Sequence, residues 1–196
     1  MPSTITTEKA ALRRAVKEYA ITPEEKAESD RLLLERFLAL PQVKAASSLL
    51  LFYGVGPEPD TARLLEPLTA AGKTVALPRC LPHGGMEARR YLGPSHLSVG
   101  SFDIPEPDDA CPVLERDSLD VILVPNLCCD KACYRLGHGG GYYDRYLSGF
   151  SGVTVALCRD RLLQSVLPRE GHDIPMGLVV TEAKCLSTPR LGKSGA

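Results

Sequence analysis

Residues 48–78 read SLLLFYGVGPEPDTARLLEPLTAAGKTVALP, and their pattern decides the fold class. Ser48 to Tyr53 is a continuous apolar run, as expected of a strand covered on both faces. The turn-rich stretch GVGPEPD follows it. Asp60 or Thr61 then opens a helix through ARLLEPLTAA, which Gly72 closes. Pro67 falls inside that helix and is expected to kink or split it, because it brings no N–H. Lys73 to Pro78 forms the next strand. A strand, a crossover helix and a second strand in this order predict a parallel βαβ unit.

Toward the N-terminus, Thr22-Pro23-Glu24-Glu25 is a helix start. Thr22 caps, Pro23 suits the first helical position, and Glu25 completes a capping box. The helix runs to Pro41, with Leu33, Leu34, Phe37 and Leu40 as an apolar stripe for the core. Glu8 to about Ala20 reads as an earlier helix capped by Thr6 or Thr7. Lys9 and Arg13 lie four residues apart on one of its faces. They form either a solvated basic face or a pair of cations aimed at an anion. Beyond the central unit, Met86–Tyr91, Val121–Pro125, Val153–Leu157 and Leu178–Thr181 read as strands. Residues 92–111 read as an extended surface wrap, Arg161–Val166 as a short helix, and residues 186–196 as a frayed, flexible tail.

The chain has 196 residues, of which 44% are hydrophobic and 24% charged, enough for one domain with an adequate core. A net charge of −1 gives no broad basic face for nucleic acid. No apolar run approaches the ~20 residues needed to span a bilayer, so no membrane partner is expected. Residues 1–14, MPSTITTEKAALRR, lack the apolar core of a secretory signal. Seven cysteines are an odd count in a chain of this size, which argues for reduced thiols in a cytoplasm. Cys128, Cys129, Cys133 and His138 match no zinc spacing of two ligand pairs.

The chemistry concentrates in Arg135 to Leu147, RLGHGGGYYDRYL, with four glycines (137, 139, 140 and 141) in five positions. Glycine admits φ > 0 and lets main-chain N–H groups approach a ligand closely. The residues after Gly141 suit a helix, whose N-terminus would offer unpaired donors and partial positive charge to a phosphate. Arg135 and Arg145 add full charge, and Asp144 is a ligand for a hard cation such as Mg²⁺. No Gly-Lys-Ser/Thr follows, so this is not a Walker loop, and Tyr142 stands where a dinucleotide fingerprint needs its third glycine. A plain tight turn is the competing reading. Tyr53 to Glu58 ends a strand of the βαβ unit, where open α/β sheets bind ligands.

Taken together, these pieces resemble the 5-formyltetrahydrofolate cyclo-ligase family. The resemblance runs from Lys9 to Glu182 through Lys9-Ala-Ala-Leu-Arg13, Glu58-Pro-Asp-Thr61, Ala71 to Arg79, Ile104-Pro-Glu-Pro107, Arg135 to Arg145, and Leu167-Pro through His172-Asp to Val180-Thr-Glu182. It implies an α/β, three-layer Rossmann-like fold: a mostly parallel central sheet with helices on both faces. It also implies ATP- and Mg²⁺-dependent cyclisation of 5-formyltetrahydrofolate to 5,10-methenyltetrahydrofolate, by a monomer or weak homodimer. By the resemblance, Lys9, Arg13, Arg135, Leu136, Gly137, His138, Gly139, Gly140, Gly141, Tyr142 and Tyr143 hold the nucleotide. Arg135 and Tyr142 serve the chemistry, Asp144 holds the metal, and Tyr53 and Glu58 contact the folate. The chain departs from the family pattern at Pro125 to Asp130 and at Cys133, where many members carry glycine. It departs again at Gly171, which leaves Glu170 or Asp173 as the second acidic metal contact. Two other readings of the residues stay open: a folate- or nucleotide-binding regulator, and a sugar-phosphate isomerase that uses the glycine loop for one phosphate.

Overall fold

The structure is a computed structural model that describes residues 4–188. Three helices come first: α1 (Thr4–Lys17), α2 (Pro23–Ala39) and α3 (Pro41–Ala45). The capping box of α2 is present in full, with Glu25 N–H donating to Thr22 Oγ1 and Thr22 N–H to the Glu25 carboxylate. Pro41 ends the α2 register and opens α3 at its first position. The βαβ unit then consists of β1 (Ser48–Leu50), α4 (Leu65–Ala70) and β2 (Thr74–Cys80), with β1 and β2 parallel. Pro67 splits the crossover as expected. Without an N–H it makes no α-type bond to Arg63, and Thr61–Leu64 winds as a tighter 3₁₀ turn ahead of α4. Asp60 makes no side-chain cap. Instead the Thr61 hydroxyl donates to Phe52 O and accepts from Gly54 N–H, which folds the following loop back onto β1.

The chain continues through β3 (Met86–Arg90), β4 (Leu97–Val99), β5 (Pro105–Pro107), β6 (Val113–Leu114) and β7 (Val121–Leu123). After these come β8 (Cys128–Asp130), β9 (Arg135–Leu136), α5 (Tyr142–Leu147), β10 (Val153–Leu157), β11 (Leu163–Gln164), β12 (Leu178–Val180) and β13 (Cys185–Ser187). The main sheet has eight strands in the order β13-β12-β10-β7-β1-β2-β3-β6. Its five central strands are parallel, and its edge pairings are antiparallel. Two further sheets, β11-β8-β9 and the ribbon β4-β5, sit outside it.

The apolar run of β1 alternates between two cores, because successive side chains of a strand point to opposite faces. Leu49 and Leu51 join Leu33, Phe37 and Leu64 on the face covered by α2, α3 and α4. Leu50 joins Ile122, Cys129, Leu147 and Met176 on the other. Each fully buried leucine contributes about 1.5–3 kcal/mol. On that second face α5 is the single helix among the described residues, and the small β11-β8-β9 sheet fills the remaining area. The first helix, α1, packs Leu12 and Val16 on the outside of this small sheet, against Cys128, Leu136 and Leu167.

Four expectations need correction. The first helix is α1 (Thr4–Lys17), so Thr6 and Thr7 lie inside it rather than capping it, and it stops short of Ala20. The short helix at Arg161–Val166 is a 3₁₀ turn (Asp160–Leu162) followed by β11, because Leu163 and Gln164 find a parallel partner in β8. The wrap at 92–111 contains the β4-β5 ribbon. The tail does not begin at 186, since Cys185–Ser187 pair antiparallel with β12, and residues 189–196 lie outside the described residues.

Candidate active site

The carboxyl ends of the parallel strands open into one cleft of about 880 Å³. Its walls come from segments far apart in sequence: α1, the loop after β1, the tip between β4 and β5, the glycine loop between β9 and α5, and residues 170–173. The loop after β1 brings Tyr53 and Glu58 to one side. The glycine loop brings Arg135, Tyr142, Tyr143 and Asp144 to the other, with Leu136 and Gly137 to Gly141 between them. Lys9 and Arg13 close the cleft from α1. Of the site residues expected from the sequence, all but Arg145 therefore line one cavity.

The glycine loop needs its glycines. Gly139 sits at φ 104° and Gly141 at φ 67°, both in the left-handed region that a side chain strains. Gly141 leads directly into α5 and makes no side-chain cap bond. The helix is only six residues long, so it contributes little dipole, and the positive charge comes from side chains. Arg135 is the nearest source. Its side chain is 5% exposed, one guanidinium nitrogen donates to Asp144 Oδ1 at 2.9 Å, and its buried Nε has no partner among the described residues. The buried Tyr143 hydroxyl also lacks a partner. Burial first, and the Glu58 and Cys80 charges after it, push the Tyr143 phenol up against the opposing pull of Arg135, so it remains an O–H donor.

Arg145 departs from expectation. It turns out of the cleft, donates to Gly84 O at 2.7 Å and Gly140 O at 2.9 Å, and lies 5.5 Å over the Tyr142 ring. Its role here is to brace the loop from behind. The loop is tied forward as well. Arg13 Nε donates to Gly137 O at 2.9 Å, and His138 Nε2 donates to Glu58 Oε1 at 3.0 Å. The second bond joins the glycine loop to the loop after β1 across the cleft mouth. Glu58 also accepts from Val55 N–H at 3.1 Å, which aims its carboxylate.

Lys9 is neither a solvated charge nor a free cation. It is 6% exposed and donates to Asp173 Oδ2 at 2.6 Å and Glu170 Oε2 at 2.9 Å. Burial opposes its charge, but hydrogen bonds to both carboxylates outweigh that and hold the ammonium above its ordinary value. Burial likewise opposes the Asp173 charge, and the Glu170 N–H together with Lys9 holds its carboxyl below the usual range. The sign of the linkage follows. The Asp173 contribution is present above the unfolded value of about 3.9 and is lost as pH falls through its lower folded value. The Lys9 contribution is present below about 10.4 and is lost as pH rises through its higher folded value. Hydrogen exchange in α1 is thus expected to be slowest and flat between about pH 4 and 10, once corrected for intrinsic rate. Faster exchange in Lys9→Met across that whole window, with no change outside it, checks the assignment.

Sequence reasoning passed over three groups. Phe102 lies on the tip between β4 and β5, 71% exposed, and meets Tyr142 edge-on with ring centroids 6.2 Å apart. Both Phe102 (φ 61°) and Asp103 (φ 59°) are left-handed, and buried Glu106 holds the tip by accepting from Ser101 N–H at 3.2 Å. Nothing in the sequence beyond an aromatic among glycines and prolines signalled this. Arg159, at the end of β10, is 3% exposed and donates to Asp30 Oδ1 at 2.7 Å and Pro57 O at 3.0 Å, beside Glu58. Asp130, fully buried, accepts from Ala132, Tyr134 and Leu167 N–H groups and from Arg169, which anchors the segment leading to Glu170. The cysteines of this region form no disulfide. Burial pushes the Cys128 thiol up to about 12 and Cys133 up to about 11, so both stay protonated. Cys133 occupies a left-handed turn at φ 66°.

The sequence model of the 5-formyltetrahydrofolate cyclo-ligase family matches residues 5–182. The 5-formyltetrahydrofolate cyclo-ligase of Escherichia coli K12 is 36% identical over 171 residues, covering 84% of this chain and 94% of that protein. The enzyme of the same name from Mycolicibacterium smegmatis is 34% identical over 137 residues, covering 65% and 69%. Among solved structures, the 5,10-methenyltetrahydrofolate synthetase of Aquifex aeolicus superimposes with a TM-score of 0.83 at 29% identity, covering 96% of both chains. The match to a family model over most of the length, together with these relatives and this fold, shows that the chain belongs to the 5-formyltetrahydrofolate cyclo-ligase family of enzymes.

Proposed function

We propose that this chain, as one domain, closes 5-formyltetrahydrofolate to 5,10-methenyltetrahydrofolate with ATP and Mg²⁺, releasing ADP and phosphate. The observation that carries this reading is the single cleft in which a basic glycine loop faces a carboxylate loop, bridged by His138 and Glu58. The residues fit the nucleotide and its metal. A buried, unpartnered Arg135 Nε and a buried Tyr143 O–H are donors awaiting an acceptor. Asp144 supplies a hard oxygen ligand beside them, and Glu170 or Asp173, which line the same cleft, supplies the second acidic contact.

ATP, when bound, supplies the phosphoryl group that turns the formyl oxygen into a leaving group, after which N10 forms the new C–N bond and phosphate departs. The protein's part is positioning and charge neutralisation. Arg135 neutralises phosphoryl charge, with Tyr142 and His138 where the two substrates meet. Lys9 uses two of its three N–H groups on carboxylates and keeps one for a phosphate oxygen, while Arg13 holds the loop at Gly137. Glu58 accepts hydrogen bonds from pterin N–H groups, which a carboxylate does without offering a competing donor, and Tyr53 flanks it. We place the protein in the cytoplasm as a monomer or weak homodimer, without nucleic acid. Its seven cysteines are all free, and among the described residues no helix is long and apolar enough to cross a membrane.

The test is spectrophotometric. Metal-replete protein is expected to generate the methenyl chromophore from 5-formyltetrahydrofolate only when ATP and Mg²⁺ are both present. Tight folate binding with no turnover would instead favour a regulator. ATP with Mg²⁺ at about 100-fold its Kd adds ~2.7 kcal/mol, which raises Tm by about 5–10 °C in a chain of this length. An isomerase that uses the loop for a sugar phosphate shows no such nucleotide-dependent rise.

A further inference from the structure

The ribbon β4-β5 is pinned at its tip by Glu106, and its base holds a second polar cluster, none of whose residues lines the cleft. His96 immediately precedes β4, Asp108 immediately follows β5, and Cys111 comes one turn later. The backbone fixes all three. Asp108 N–H donates to His96 O at 3.0 Å and Cys111 N–H to Asp108 O at 3.2 Å. His96 Nδ1 lies 3.2 Å from Asp108 Oδ2. One ligand atom from each residue lies within 4.8 Å of the other two.

We infer that His96, Asp108 and Cys111 form a binding site for one divalent, borderline-soft cation of the Zn²⁺ class, which clamps the base of the ribbon. Four features carry this. The donor set is one nitrogen, one oxygen and one sulfur, the mixture that tetrahedral zinc takes. Ligands about 2.0–2.2 Å from a tetrahedral ion stand about 3.4 Å apart, and the His96–Asp108 separation of 3.2 Å already matches that edge. The second carboxylate oxygen of Asp108 accepts from Ala110 N–H at 2.9 Å, the kind of outer hydrogen bond that orients a ligand. Finally, Cys111 is buried while His96 and Asp108 are half-exposed, which provides an inner soft ligand, an entry path, and room for water in the fourth position. The thiol proton leaves to solvent as the ion binds, so binding tightens as pH rises.

The consequence is mechanical. Leu97 pairs with Pro107 directly inside the His96–Asp108 junction, so a bound ion closes the open end of the strand pair that presents Phe102 to the cleft. The site would therefore govern the order of the ribbon without touching the reacting groups.

Co²⁺ and Zn²⁺ are the probes, titrated into the reduced, metal-free full chain carrying Cys80→Ser and Cys185→Ser, which removes the two least buried thiols. The expected result is one equivalent of Co²⁺ with a thiolate-to-cobalt charge-transfer band, displaced by Zn²⁺, and slowed hydrogen exchange in residues 97–107. Cys111→Ser is expected to abolish the band, and His96→Ala to weaken Zn²⁺ binding at least tenfold. His96 is half-exposed, so its variant keeps the fold and decides the matter even where Cys111→Ser does not. Absence of the band, or Zn²⁺ affinity unchanged in His96→Ala, overturns the site. Neither outcome bears on the ATP-dependent activity, which is read separately.

Discussion

Arg135→Ala lowers kcat by about 10²–10³-fold and leaves the fold intact. This expectation rests on where the charge sits. Removing one preorganised donor from a site of developing negative charge costs about that factor, because such a donor is worth more in a water-excluded pocket than in solution. Arg135 is 5% exposed beside the glycine loop, and its Nε has no partner among the described residues. The fold survives because the lost partner, Asp144, is 27% exposed and can be solvated where it stands. Arg135→Lys keeps the charge but loses the planar fork, and is expected to recover only part of the rate. The measurements are kcat and KM for ATP, with circular dichroism as the check on structure. A rate within threefold of the parent removes Arg135 from the mechanism. A loss of rate that comes from a loss of fold is told apart by the Lys variant, which keeps a positive charge beside Asp144.

Arg159→Met is expected to destabilise the protein by about 3–5 kcal/mol, the cost of breaking a buried ion pair by removing one partner, with the Asp30 charge left to Lys26 alone. Both side chains of the Arg159–Asp30 pair are 3% exposed. Arg159 also donates to Ser29 Oγ and to Pro57 O, while Asp30 accepts from Lys26 at 2.6 Å and from Asp60 N–H at 3.2 Å. The network therefore joins α2, β10 and the loop that carries Glu58. For a chain of this length the loss corresponds to a fall in Tm of about 6–20 °C. Urea unfolding is expected to show a lower midpoint with an unchanged slope. The double variant Asp30→Leu, Arg159→Met removes both charges and should recover part of the loss, which a purely steric defect would not. In folded protein the KM for the folate should rise, since Pro57 O is released beside Glu58. A loss below 1 kcal/mol would show that water, not the pair, satisfies these groups.

The parts legible from sequence were those set by local chemistry. The capping box at Thr22 and Glu25, the apolar runs of β1, β7 and β10, and the split at Pro67 each depend on neighbours within a few residues. The glycine loop was legible for the same reason, because positive φ at Gly139 and Gly141 is a property of the residue itself. Arg145 was misread because its direction depends on Gly84, 61 positions away, whose carbonyl competes for the guanidinium. The 3₁₀ turn and strand at Asp160–Gln164 were misread as helix because their pairing partner, Cys129–Asp130, also lies far outside any local window.

What the sequence by itself determined is the α/β class, the order of its elements, the family, and which residue types line the cleft, because periodicity, turn chemistry and motif spacing are written locally. What only the tertiary structure decided is how polar groups separated along the chain are paired: Lys9 with Asp173, Glu58 with His138, Arg159 with Asp30, and His96 with Asp108. The physical reason is that a buried charge takes the nearest opposite partner the fold delivers, and that distance is a property of packed strands and loops rather than of spacing along the chain.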